Sequence, residues 1–244
     1  MRLISLLFTC LIATTHLFAQ TNPAVDDIIK REMRERKIPG LQVAVVSKGK
    51  IVLNKSYGIA NVQDSVPVSN QSIFAINSCT KVFTAVAVMQ LVEQGKIDLS
   101  KTVATYLDDL PAAWSTVTIK QLLTHTSGLP DGLGLLDERT GGTGNTTEAT
   151  FWEKLKVMPL ISTPGERFNY NQTNAYLLAK LINKFSSKTF QEVFDERQFQ
   201  PAGLKHTVFG DSRDVIPHFA PTYFYRTQID GQPLNTPKLI NNYY

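Results

Sequence analysis

Asn77-Ser78-Cys79-Thr80-Lys81 sets a hydroxyl and an amine three positions apart, just ahead of a long apolar run. Residues at that spacing lie on neighbouring parts of one helix face, about one turn apart. A serine hydroxyl is a poor nucleophile until a base takes its proton. A lysine beside it, partly desolvated, can act as that base when its amine is neutral. A helix start also offers backbone N–H groups and a positive dipole end to a developing oxyanion. The same residues have an ordinary reading, in which Ser78 caps a helix and Lys81 is a solvated first-turn residue. The four-residue pattern alone favours that ordinary reading, because Ser-x-x-Lys is common by chance. Cys79 is a second nucleophile by type. One position from Ser78 on a helix, it points elsewhere and is expected to be buried filler.

Other chemistries find less support. His125 and Ser127 are too close in sequence for a mutual triad, and no Gly-x-Ser-x-Gly elbow is present. No His-Glu-x-x-His run or cysteine-rich spacing suggests a metal site, and no cofactor is called for. The run Thr140-Gly141-Gly142-Thr143-Gly144-Asn145 lacks the Lys-Ser or Lys-Thr of a phosphate loop and reads as a surface loop.

Elements must place these side chains. Val25, Ile28, Ile29 and Met33 fall at helical spacing between Pro23 and Arg36, and Ile38-Pro39-Gly40 ends that helix. Leu41 to Val46 and Ile51 to Gly58 read as a β-hairpin turning at Ser47 to Lys50. Asp64 to Gln71, with Pro67, reads as a loop. Lys81 to Gln94 carries almost no polar face and predicts a helix buried all round, stopped by Gly95. Shorter segments follow at Leu99 to Leu107, at Thr118 to Thr124 with Thr118 as N-cap, at Glu148 to Lys156, and at Thr173 to Phe185. Phe190 to Phe199 adds another, capped by Ser187 or Thr189. Thr222 to Arg226 reads as a strand and Asp230-Gly231 as a turn. The pattern is α+β, with a hairpin first and a helical middle.

The context of Ser78 carries more than the motif. Phe74 to Ala85 resembles the nucleophile segment of the serine β-lactamase and penicillin-binding protein superfamily, in the branch of class C β-lactamases, DD-peptidases and related esterases. Leu91-Val92-Glu93-Gln94-Gly95-Lys96-Ile97-Asp98-Leu99 is similar to the same branch. So are Ile119 to Pro130, Pro164 to Asn174 and Pro201 to Thr207. The resemblance implies a β-lactamase/transpeptidase-like fold, an antiparallel sheet with a large helical region. It implies that Ser78 is acylated, that Lys81 helps move its proton, and that Tyr170 passes protons between nucleophile, leaving group and water. Gln172 stands where many relatives have the Asn of a Tyr-x-Asn motif, and an amide there can bind an acyl side chain. Gln is one methylene longer. His125 belongs in this pattern to a turn after a helix and is structural.

The chain departs from the family at its third motif, Lys/His-x-Gly, which commonly supplies the second oxyanion donor. Lys188-Thr189-Phe190 has the wrong third residue and suits a helix start. The motif is expected beyond Tyr244, so the C-terminal strands are expected to be missing. Two functions follow. The first is a serine hydrolase acting through an acyl-enzyme on amide, β-lactam or ester carbonyls. The alternative is a shortened, weak or inactive relative that binds without turnover.

Composition constrains the partners. The 244 residues carry a formal charge of +4, too weak and scattered for nucleic acid. Arg2 precedes a short apolar run ending at Leu17-Phe18-Ala19, the layout of a secretory signal peptide. Cleavage after Ala19 would leave Cys79 without an internal disulfide partner; a lipoprotein reading through Cys10 is weaker. The expected organisation is a signal peptide at 1–19 and one β-lactamase-related domain at 20–244. Within it, 20–72 is an N-terminal helix and hairpin, 73–215 the mainly helical region, and 216–244 an incomplete return to sheet. The expected partner is a small-molecule or peptidoglycan-like substrate, outside the membrane, in the periplasm or secreted.

Overall fold

The computed structural model describes residues 23–135, 147–210, 214–225, 228–229, 232–233 and 237–240. The signal peptide, the glycine-rich run 140–145 and the Asp230-Gly231 turn lie outside the described residues. The chain forms two compact units, Met1–Asn70 and Gln71–Tyr244.

In the first unit, α1 (Pro23–Glu35) precedes β1 (Gly40–Ser47) and β2 (Lys50–Asn61). The two strands pair antiparallel, with Ser47 opposite Lys50 and an irregularity between Val45 and Val46. Lys48 and Gly49 both have positive φ, which gives the tight turn a twist matching the strands. Asp26 on α1 accepts hydrogen bonds from Lys55 and from the Tyr57 hydroxyl, tying helix to hairpin. Lys55, then Tyr57, hold the Asp26 carboxyl below its ordinary range. Burial, then the Asp26 bond, push the Tyr57 phenol up to about 12. The segment expected to be loop contains a short strand, β3 (Val66–Pro67), paired with β2. Its lone proline sits where a missing N–H is tolerated, on a sheet edge.

The second unit is mainly helical: α2 (Lys81–Glu93), α3 (Ile119–Leu123), α4 (Glu148–Lys156), α5 (Gln172–Ser186) and α6 (Phe190–Phe194). Two-residue strands β4 (Ile73–Phe74) and β5 (Phe219–Ala220) pair in parallel. Further on, β6 (Thr222–Tyr225) pairs with β9 (Pro237–Ile240), and β7 (Gln228–Ile229) with β8 (Gln232–Pro233), both antiparallel. The core gathers Ala87, Val88 and Leu91 of α2, Leu177, Leu181 and Ile182 of α5, and Trp114, Leu122, Leu155 and Phe194.

Local chemistry sets the helix ends. The Gly95 N–H reaches the Val92 carbonyl and the Lys96 N–H reaches Leu91, the paired bonds of a glycine-terminated helix. Thr118 and Gln121 cap α3 reciprocally, and Thr189 and Glu192 do the same for α6. Thr189 thus serves a helix start. Beyond Phe194 the helix widens into one π turn, Asp195–Phe199, whose Gln198 amide donates to the Phe83 carbonyl.

Two expectations need correction here. Leu99 to Leu107 forms only a 3₁₀ turn, Val103–Thr105, because its backbone bonds Val117 and the first turn of α3 instead: Val103 N–H to the Val117 carbonyl, Lys120 N–H to the Leu99 carbonyl. And α2 is not buried all round. It packs on α5 and α6 through Thr84, Ala87, Val88 and Leu91, while Val82, Val86 and Met89 remain 63%, 41% and 43% exposed. Apolarity on every face reports what a helix could bury, and this unit covers one side.

Candidate active site

Ser78 lies in a 3₁₀ turn, Asn77–Thr80, that runs directly into α2. Asn77 before it adopts a left-handed backbone, φ 45°, a conformation costly to most side chains and one that asparagine tolerates well. The Cys79 N–H bonds the Ile76 carbonyl and closes the turn. Lys81 is the first residue of α2, so its side chain leans back over the turn that carries Ser78. Lys81 Nζ donates to Ser78 Oγ at 3.1 Å and to Gln172 Oε1 at 2.8 Å. The hydroxyl of Tyr170 donates to Ser78 Oγ at 2.8 Å, and Lys81 Nζ stands 4.9 Å from the centre of the Tyr170 ring. The four residues singled out in the sequence therefore meet in space, although 91 positions separate Lys81 from Gln172.

A buried framework brings Tyr170 there. Asn171 caps α5 by accepting from the Asn174 N–H at 3.0 Å, and its own amide donates to the Leu129 carbonyl. The Gln172 N–H donates to Asp131 at 3.0 Å, and the Thr173 hydroxyl donates to the Pro130 carbonyl at 2.6 Å. Opposite, the turn after α3 is bound by Asn169 N–H to His125 carbonyl, 2.7 Å, and Gly165 N–H to Thr126 carbonyl, 2.7 Å. Gly128 completes the turn at φ 70°, where any Cβ would come within 2.2 Å of the Ser162 carbonyl oxygen. Asn171, Thr173, Asn174 and Ser127 are all buried, and each has a partner.

Electrostatics favour a more acidic phenol. Burial pushes the Tyr170 pKa up, but hydrogen bonding with Lys81, Ser78 and Gln172, together with the Lys81 charge, outweighs it and holds the phenol below its ordinary value. Burial, then the Lys81 charge, lower the His125 pKa.

The sequence reading missed how His125 stands in this group. Its ring lies 4.6 Å from that of Tyr170, tilted by 35°, and its Nδ1 meets the Asn174 amide nitrogen at 3.0 Å. Its place in a turn is legible in the sequence; its approach to Tyr170, 45 positions on, is not. Cys79 also needs correction. It is exposed, not buried filler, because its turn holds no buried residue and α2 packs by another face. A separate cleft by Leu107, Asp109, Trp152, Lys180 and Lys184 contains none of the Ser78 group, and Asp109 pairs there with Lys156.

The family profile described as Beta-lactamase matches residues 25–237. Among curated proteins, the chain is 31% identical over 212 residues to a Beta-lactamase of Providencia stuartii, covering 86% of this chain and 53% of that protein. It is 30% identical over 203 residues to Protein flp of Staphylococcus aureus strain MW2, covering 82% and 40% respectively. Among solved structures it resembles the octameric penicillin-binding protein homologue from Pyrococcus abyssi, with TM-score 0.72, 28% identity, 91% of this chain and 51% of that one. It also resembles the D-alanine carboxypeptidase AmpC from Burkholderia cenocepacia, with TM-score 0.68, 25% identity, and coverage of 88% and 56%. The chain thus spans two-fifths to about half the length of the curated relatives described here.

Proposed function

Because the chain belongs to the β-lactamase family, with the β-lactamase/transpeptidase-like fold, we propose that it is a serine hydrolase working through an acyl-enzyme at Ser78. The observation that carries this reading is the convergence of the Lys81 ammonium and the Tyr170 hydroxyl on one oxygen, Ser78 Oγ, at 3.1 and 2.8 Å. Structural capping of a helix needs neither contact.

In the proposed reaction, Tyr170 ionises beside the Lys81 ammonium and takes the proton of Ser78 as Oγ bonds to the substrate carbonyl carbon. The carbonyl electron pair moves onto oxygen, where the Ser78 backbone N–H at the helix approach offers one donor. Collapse breaks the bond to the leaving nitrogen or oxygen, and Tyr170 returns the proton to it. Water then gives a proton to Tyr170 and attacks the ester, and Ser78 leaves with that proton. Gln172, whose oxygen is engaged by Lys81, keeps amide N–H capacity for an acyl side chain.

The substrate class we propose is an acyl amide, β-lactam or ester, with D-alanyl peptides and β-lactams supported by what the Burkholderia and Providencia relatives are called. The N-terminal apolar run supports export to the periplasm or medium. Fluorescent penicillin and a fluorophosphonate test the reading: either should label the protein, and Ser78→Ala should not label. Labelling that survives the substitution refutes Ser78. Reversible binding with no covalent adduct to either reagent supports the binding-only alternative.

A further inference from the structure

The imidazole of His125 has a fixed proton arrangement that can be derived from its neighbours. The Leu129 N–H donates to Ser127 Oγ, and the Ser127 hydroxyl donates to Asn174 Oδ1 at 2.7 Å. The carbonyl end of the Asn174 amide is thereby assigned, so its NH₂ end faces His125 Nδ1 at 3.0 Å. The Asn171 backbone N–H approaches the same Nδ1 at 3.4 Å. Two donors aimed at Nδ1 make it an acceptor, which puts the proton of the neutral ring on Nε2. The ring is held from the other direction as well: Phe168 meets it edge-on at 6.0 Å.

This ring is held at some backbone cost. His125 sits at φ 54°, a left-handed conformation that a histidine adopts less readily than glycine or asparagine. A turn alone would be served better by either of those residues. What the imidazole adds is its face, 4.6 Å from the centre of the Tyr170 ring. Tyr170 is otherwise 42% exposed, and a phenol open on one side can rotate away unless something lies against its ring.

We propose that His125 is a positioning residue for Tyr170, holding the phenol ring by face contact where its hydroxyl meets Ser78 Oγ. The inference rests on the reading of Ser78 as nucleophile and Tyr170 as its proton carrier. Small displacements of such a group are costly, since a shift of about 1 Å can slow a reaction on the order of 100-fold. The groups facing Tyr170 are Lys81, Ser78, Gln172 and His125.

The test uses the full chain and His125→Asn, which keeps the left-handed backbone comfortable and retains a side-chain acceptor but removes the ring. The expected result has three parts: a circular-dichroism melt that stays cooperative with the chain folded at the assay temperature, fluorophosphonate labelling slowed roughly 10- to 100-fold, and a tyrosinate ultraviolet titration, isolated by difference against Tyr170→Phe, displaced upward from the parent. Labelling at the parent rate, or slowing without displacement of the titration, overturns the proposal. If His125→Asn does not fold, the parent chain decides: cross-relaxation between the His125 and Tyr170 ring protons in an NMR spectrum supports the contact, and its absence overturns it. A parent chain that never labels defeats the hydrolase reading instead, while the ring contact and the titration still judge the placement of Tyr170.

Discussion

Ser78 Oγ is one atom approached by two different proton-bearing groups, and the difference between them has a measurable consequence. Tyr170 has the acid–base role in the proposed reaction, and the Lys81 ammonium keeps the phenol acidic by hydrogen bond and charge against the opposing effect of burial. Acylation should therefore rise with pH as Tyr170 loses its proton, with a midpoint below the ordinary phenol value of about 10. In Lys81→Met that limb should move to higher pH, because the favourable interaction with the phenolate is gone. In Tyr170→Phe it should vanish, with the rate down about 10²- to 10⁴-fold. Stopped-flow acylation across pH measures all three, and a limb that stays in place in Lys81→Met contradicts the coupling. Ser78, Lys81 and Tyr170 were legible from ordered motifs. The bond from Lys81 to Gln172 was not, because side-chain reach across 91 positions of chain leaves no pattern in sequence.

The turn after α3 and the cap of α5 carry the site at the next scale. Both are built from buried polar groups that satisfy one another, and such networks lose stability sharply when one member is displaced. Gly128 is the tightest point. An alanine there would meet the Ser162 carbonyl at 2.2 Å in a backbone region closed to most side chains. Gly128→Ala should cost more than about 1 kcal/mol in urea unfolding and should weaken labelling at Ser78 as the turn shifts. Gly203→Ala is the control: its φ is also positive but its Cβ would meet nothing within 4 Å, so it should show the backbone cost alone. Equal losses in the two variants would show that the Ser162 contact contributes nothing. Short-range signals made the helices readable: Thr118 with Gln121, Thr189 before Glu192, and Gly95 after α2. They failed at Leu99 to Leu107, where backbone bonds to Val117 and to the first turn of α3 override local preference.

Across the whole molecule, the apolar run that forms α2 is interior on one face only. Leu91 is buried in the core, whereas Val86 is exposed. Leu91→Ala should cost about 2–5 kcal/mol, and Val86→Ser should stay within about 0.5 kcal/mol. Denaturant midpoints measured side by side check this, and a large loss in Val86→Ser would mean that this face is covered in solution. Sequence pattern could say that α2 is apolar throughout but not which neighbours are present to cover it. None of the described helices is long and apolar enough to cross a membrane. The family resemblance was readable over most of the chain because its motifs occur in order, and the profile match over residues 25–237 agrees with it.

Cys79 offers an internal rival for Ser78, since it is exposed and adjacent. Fragment-ion mapping of the protein after reaction with a penicillin therefore separates the two nucleophiles. One acyl group is expected, on Ser78, absent from Ser78→Ala and retained in Cys79→Ala. An adduct on Cys79, or no adduct on the parent chain, rules out Ser78 as the acylated nucleophile.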